Sequence, residues 1–181
     1  MNNLKWILPA LLIAIAAPGC ILTSGQILID FDLGTINVTS PTGLVAEQID
    51  LNDNSDYSDH KNELKNIVDF AVLGTINNTG GTDLLPEVWI TPDLTNYTTD
   101  TEVKANGIKL WGGILVPAGS SATVNWDTSA ALFTKAGKAM ILAQATPPGD
   151  GNFTLYVMGA SGTYQFNVTN GVLALVIDAG V

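Results

Sequence analysis

The chain has 181 residues, with 7 Lys, no Arg, 17 Asp plus Glu, one His and one Cys, and a net charge of −10. The absence of any basic segment excludes a conventional nucleic-acid binder. One Cys excludes an intrachain disulfide and a multi-cysteine metal site, and one His excludes a histidine cluster. With 46% apolar and 13% charged residues, the chain is expected to fold as one domain, residues 27–181, rather than remain disordered.

Residues 1–19 read as a secretory signal. Lys5 is the only charge before the apolar stretch Trp6–Ala17. Twelve helical residues rise about 18 Å, too little to span a bilayer core of about 30 Å. The stretch stops at Ala17-Pro18-Gly19-Cys20. This resembles the lipobox of bacterial lipoproteins, with Ala17 and Pro18 where the usual box has Leu and a small residue. The resemblance implies that Cys20 is diacylated and becomes the first residue after cleavage, and that residues 20–26 form a short tether. Ile21, where inner-membrane retention uses Asp, implies the outer membrane in a cell that has one. Loss of Lys5 leaves the exported chain at −11, a charge that opposes binding to anionic lipid or polyanions.

The first half repeats itself at a shift of 40. Leu33-Gly34-Thr35-Ile36-Asn37 matches Leu73-Gly74-Thr75-Ile76-Asn77. Thr39, Thr42, Leu44, Glu47, Asp53 and Tyr57 match Thr79, Thr82, Leu84, Glu87, Asp93 and Tyr97. With one gap, Ile29-Asp30-Phe31 matches Val68-Asp69-Phe70. This is read as duplication of a supersecondary unit, about 29–67 and 68–107. Each copy has two β-rich strands separated by Asn/Thr/Gly punctuation, then a helix.

In the first copy, Tyr57, His60, Leu64 and Ile67 have helical spacing, with Asp53, Asp56 and Asp59 toward the start and Lys61 and Lys65 toward the end. In the second, Thr99-x-x-Glu102 has capping-box spacing and Gly107 can stop the helix. A third instance runs from strand 109–116 through turn 117–119 and strand 121–126 to a helix near 128–136, capped by Asp127 and ended by Gly137.

Only strand signals follow. Lys138–Ala145 is apolar, Thr146–Gly151 is a turn cluster, Phe153–Met158 alternates, and Gly159–Gly162 turns the chain. Tyr164–Val168 alternates, and Asn170-Gly171 reads as a hairpin turn before the apolar run Val172–Ile177. The expected fold is an all-β, two-sheet immunoglobulin-like sandwich of nine or ten strands, with two or three short crossover helices.

From Leu64 onward, the Asn-rich turn Thr75–Gly80 and the turn Val116–Val124 precede a short helix and paired C-terminal strands. This order resembles immunoglobulin-like domains of the late-embryogenesis-abundant, water-stress type, although their Asn-Pro turn is absent here. The resemblance implies a sandwich and a non-catalytic role.

Several residues carry candidate chemistry. Asp50, Asn52, Asn54 and Asp56 alternate as Ca²⁺ ligands do, but Ser55 and Lys61 stand where an EF-hand needs Gly and Glu. A solvated loop and helix start is the stronger reading, and a structural Ca²⁺ the alternative. His60, on the apolar face of its helix, reads as packed or hydrogen-bonded. A Ser-His-Asp triad would have to be built on it alone, and no Gly-x-Ser-x-Gly elbow occurs. A paired-carboxylate glycosidase would have only four Glu in the exported chain to draw on, beside its Asp residues. Trp126 and Tyr97 could form a sugar-stacking face, while Trp89 and Trp111 read as core. Asn37, Asn77, Asn96, Asn152 and Asn167 begin Asn-x-Thr triplets, which suit turns and strand faces.

These readings lead to a non-enzymatic, lipid-anchored envelope protein, with no catalytic residues and no cofactor, acting as a structural or protein-interaction module. The alternatives are a carbohydrate-binding module and a strand-exchanging fibre or pilus-like subunit. The last is favoured if the strand 172–178 lacks a partner. A desiccation role rests on the family resemblance alone.

Overall fold

The computed structural model describes residues 24–39 and 43–180, so the expected signal and Cys20 lie outside the described residues. The strands are β1 (Ser24–Thr39), β2 (Val45–Asp50), β3 (Leu64–Asn78), β4 (Pro86–Thr91), β5 (Ile108–Gly112), β6 (Ser121–Val124), β7 (Asn152–Gly159) and β8 (Gln165–Gly180). The helices are α1 (Ser55–His60), α2 (Asp100–Asn106), α3 (Trp126–Leu132) and α4 (Lys135–Ala145), with a 3₁₀ turn at Leu51–Asp53. Two antiparallel four-stranded sheets, in the orders β1-β8-β3-β6 and β2-β7-β4-β5, pack around one core. The all-β sandwich is therefore the architecture, with eight strands rather than nine or ten among the described residues. Among them, no helix is long and apolar enough to cross a membrane.

The central strands are those whose sequences are apolar on both faces. In β8, Leu173, Leu175 and Ile177 are fully buried and Ala174 nearly so, between β1 and β3. In β7, Phe153 to Met158 are buried without a break, between β2 and β4. A strand covered on both faces gains apolar burial from every side chain, so continuous runs rather than alternation mark it. The edge strand β1 alternates instead: Gln26, Leu28 and Asp30 are exposed around half-buried Ile27 and buried Ile29.

The pairing register brings the two look-alike segments to the same neighbours. Ile36 and Ile76 both face Val168, and Asn37 and Asn77 both face Asn167. Beyond the bulges, Phe31 and Val72 both face Leu173. In the other sheet, β2 and β4 flank β7 without keeping the shift of 40: Glu47 faces Leu155, whereas its match Glu87 faces Met158. The gapped match of Ile29-Asp30-Phe31 to Val68-Asp69-Phe70 is not kept, because Ile29 shares Leu175 with Phe70.

Four local expectations are corrected. The helix of the first copy ends at His60, and Leu64 and Ile67 belong to β3, where their apolar side chains enter the core. The third-instance helix is two helices. Asn125 rather than Asp127 caps α3, and Thr134 caps α4 through the Gly137 amide. Gly137 sits inside α4, where a Cβ would lie 2.6 Å from the Leu110 Cα, so it marks close packing rather than an end. Residues 138–145 are helix, not strand: an Ala-rich segment behind a Thr cap favours the helix, and its buried Ile141 and Ala145 dock on the core.

Asn170-Gly171 is not a hairpin turn. Asn170 adopts φ 53° inside the continuous strand β8. Thr35 stands between Gly34, which faces Gly171, and Ile36, which faces Val168, so β8 carries one extra residue there. A left-handed Asn followed by Gly suits a bulge as well as a turn. The strand 172–178 is thereby paired on both sides, so it is not the unpaired strand that would favour a strand-exchanging fibre. β1 also begins at Ser24, three residues before the expected domain start.

Candidate functional site

The acidic segment is built into helix starts. Asp50 caps the 3₁₀ turn, its Oδ1 accepting from the Asn52 amide at 2.8 Å and from Asn52 Nδ2 at 2.7 Å. Asn54 caps α1, accepting from the amides of Asp56 and Tyr57. Asn52 Oδ1 accepts from Lys61 Nζ at 3.1 Å. Asp56 is exposed. Among the described residues, no three His, Cys, Asp or Glu side chains come together as metal ligands would.

This loop meets the turn before β7. Asp50 faces Asn152, and Asn52 Nδ2 donates to the Asp150 carbonyl at 2.9 Å. Hydrogen bonds from Asn152 hold the Asp150 carboxyl below the usual carboxylate range. Burial, then the charges of Asp50 and Asp150, push the Tyr57 phenol up, and its hydroxyl donates to the Ala145 carbonyl at 3.1 Å. Asn152 Oδ1 is buried without a hydrogen-bond partner. His60 is partly exposed, and its Nδ1–H donates to the Asp56 carbonyl at 3.0 Å, within α1.

The two aromatic candidates are not brought together. Trp126 opens α3, is half-buried, and donates Nε1–H to Asp69 Oδ2 on β3 at 2.6 Å. Tyr97 lies in the loop after β4 and packs on Tyr156 of β7, ring centroids 5.9 Å apart. The Tyr156 hydroxyl ties that loop down, 2.7 Å from Thr95 Oγ1 and accepting from the Tyr97 amide at 3.0 Å. Of the other indoles, Trp111 is buried as expected, whereas Trp89 is half-buried and donates to Glu87. Among the Asn-x-Thr triplets, Asn37 and Asn96 are exposed, and Asn77 Nδ2 donates to Asn167 Oδ1 at 2.8 Å across the β3–β8 pair.

Sequence reasoning missed a gap between the sheets. It holds about 40 Å³, room for a few water-sized spheres, and its walls are hydrocarbon almost throughout. Ile36, Ile76, Phe166 and Val168 line it from one sheet, and Val88, Trp111, Leu155 and Val157 from the other. Leu33, Val72, Leu73 and Val168 are half-buried, so the gap reaches toward the surface on that side. Gly74 and Gly171 both line the gap and supply no side chain. At Gly74 (φ +142°) a Cβ would lie 3.1 Å from the Thr169 carbonyl oxygen and from Val168 Cγ1. The Leu-Gly-Thr and Asn-Gly motifs therefore converge on one thinly filled band.

Two acidic residues, Glu47 and Glu87, are among those lining the gap, almost wholly through their hydrocarbon. Glu87 is nearly buried; Lys109 Nζ lies 2.5 Å from its Oε1, and Trp89 Nε1 donates to its Oε2 at 2.9 Å. That is the one salt bridge among the described residues, so Glu47 has no ionic partner there. The signal available in sequence was the repeated Glu at the shift of 40, which here means two acids on one gap.

Fold and gap together define an all-β two-layer sandwich with an apolar space between its layers. No known protein family matches the chain, and no curated protein matches it.

Proposed function

We propose that this chain is a non-enzymatic protein of the cell envelope, exported and anchored through a lipid on Cys20, whose sandwich serves as a structural or protein-interaction module. The observation that carries the reading is how near paired strand lies to Cys20. At Ser24, four residues after that cysteine, the chain is already in β1 and paired with β8. An anchor at Cys20 would hold the Ser24–Gly180 end of the sandwich against the bilayer. In this reading the membrane is the outer one where the cell has two, and the first two strand pairs are copies of one ancestral unit. The shared partners of Ile36 and Ile76 support the latter.

Polar chemistry elsewhere supports the non-catalytic part. Asp50, Asn54 and Glu102 cap helices, Asp69 holds an indole, and Glu87 holds an ammonium and an indole. Metabolic labelling with palmitate tests the anchor. Label is expected on the wild-type chain and lost, with the protein leaving the membrane fraction, in Cys20→Ala. Unlabelled wild-type protein released into the medium would contradict it.

A further inference from the structure

We propose that the outer face of the β1–β8–β3 sheet around Leu28 and Val68 rests on the bilayer surface beside the anchored end of the sandwich. The inference rests on the lipid anchor at Cys20 and adds the protein surface that the anchor brings into contact.

An apolar row crosses that face. Leu28 of β1 faces Val176 of β8, and Val176 faces Asp69 of β3 on its other side, next to the bulge residue Val68. Leu28 is 55% and Val68 49% exposed, with Val176 half-buried between them. Their chain neighbours Ile29, Ile67, Leu175 and Ile177 are buried, so by strand alternation the row points away from the core. Three adjoining apolar side chains make a patch, not scattered surface residues. Asp69 also holds the half-buried Trp126 indole at the β3 end of the row, a ring type suited to the boundary between headgroups and hydrocarbon.

The row is also close to the anchor. The four residues from Cys20 to Ser24 reach at most about 14 Å, which keeps Ser24 within that distance of an acylated Cys20. Leu28 follows four residues later on the same strand, so a tilt of the sheet sets the row on the lipid. Charge says why an anchor is needed. Asp30 and Asp32 are exposed on the same face, against Lys65 at the start of β3, and the whole chain is acidic, so headgroups exert no net pull. The patch alone is small. Tethering raises its effective concentration at the surface and turns a weak contact into a persistent one.

The test uses the protein isolated from its membranes, methyl-labelled at Leu and Val and placed in phosphatidylcholine nanodiscs at one copy per disc. A mass spectrum of the same sample reads the acyl group on Cys20. Doxyl-labelled phosphatidylcholine then broadens the methyl NMR signals that approach the bilayer. Leu28, Val68 and Val176 are expected to lose several-fold more intensity than Leu115. That residue is as exposed, at 56%, but lies next to Val116, whose carbonyl accepts from Asn78 at the far end of β3. Leu28→Thr combined with Val68→Thr, both at exposed strand sites, is expected to leave the fold and the anchoring intact and to remove the excess broadening at Val176. The proposal is overturned if the acylated chain shows no excess over Leu115, or if the double variant leaves Val176 broadened as before. It is also overturned if the Leu28 signals respond to a second copy in the disc instead of to doxyl lipid. A chain without the acyl group overturns the anchor and this contact with it, so the mass spectrum tells the two failures apart.

Discussion

The Trp111 indole N–H and the Val72 amide, which belong to different sheets, donate to the same atom, the buried Ser129 Oγ, at 3.1 and 2.7 Å. Strand β6 pairs with β3 only from Gly74 to Asn77. Helix α3 packs along β3 and supplies Ser129 to the edge upstream. One hydroxyl thus closes a sheet edge and fixes the largest fully buried side chain. Ser129→Ala strands two donors, and a buried unpaired donor costs about 1–3 kcal/mol. The expected loss in urea unfolding is roughly 2–4 kcal/mol. A loss under about 0.5 kcal/mol would show that water or repacking replaces the hydroxyl.

The Trp126 indole is held by Asp69 of β3. Trp126→Phe keeps most of the ring and removes the N–H that reaches Asp69 Oδ2. For a half-buried, charge-assisted bond, the expected cost is about 1 kcal/mol, and binding on a glycan array is expected to be nil for wild type and variant alike. Glycan binding by wild type that disappears in the variant would favour the carbohydrate-binding reading.

The acidic loop is expected to behave as a pair of caps. Asn54→Ala should lower stability by about 1 kcal/mol, because the amides of Asp56 and Tyr57 lose their acceptor. Added Ca²⁺ should leave the melting temperature of wild type unchanged. A Ca²⁺-dependent rise that Asp50→Asn removes would contradict this account of the segment.

The capping box of α2 has a pH signature. Hydrogen bonds from the Thr98 amide and the Thr99 hydroxyl lower the Glu102 carboxyl below its ordinary 4.5. A carboxyl depressed in the folded state binds its proton more readily when unfolded. Its contribution is present above the unfolded value and is lost as pH falls through the folded one. NMR titration should place Glu102 below 4.5, and Thr99→Ala should move it back up. A Glu102 titrating at or above 4.5 would contradict the capping geometry.

Tyr164 gives the alkaline counterpart. Burial, then its hydrogen bond to Asp100 Oδ2 at 2.9 Å, pushes its phenol up to about 12. A group raised on folding stabilises fully below its unfolded value near 10, and that contribution is lost as pH rises toward about 12. Phenolate absorbance of one tyrosine is expected to appear near pH 12 and to vanish in Tyr164→Phe. Ionisation of this tyrosine near pH 10 would place it in solvent instead.

Local chemistry was readable in the sequence wherever one segment decided its own structure. Thr99 and Glu102 form the expected box, and the apolar runs of 153–158 and 172–177 are the two central strands. Reading failed where an apolar spacing suits two structures. Tyr57, Leu64 and Ile67 keep helical intervals, yet the chain leaves the helix at His60 because β3 must begin at Leu64 to pair with the end of β8. Lys138–Ala145 looks like a buried strand until Thr134 is recognised as its cap. The gap was illegible because it lies between the sheets, where residues distant in the chain meet. Gly34 faces Gly171, and the bulge sets Gly74 beside the same place, which no single segment encodes. Ser129 was equally silent, since a lone Ser in a polar helix carries no sign of the two donors that meet it.

The anchor is tested most directly by the intact mass of the protein isolated from its native membranes. The account predicts a chain that begins at Cys20 and carries diacylglycerol on its thiol, with no unmodified form in the medium. A mature chain beginning anywhere else, or one beginning at Cys20 with a free thiol, would contradict it.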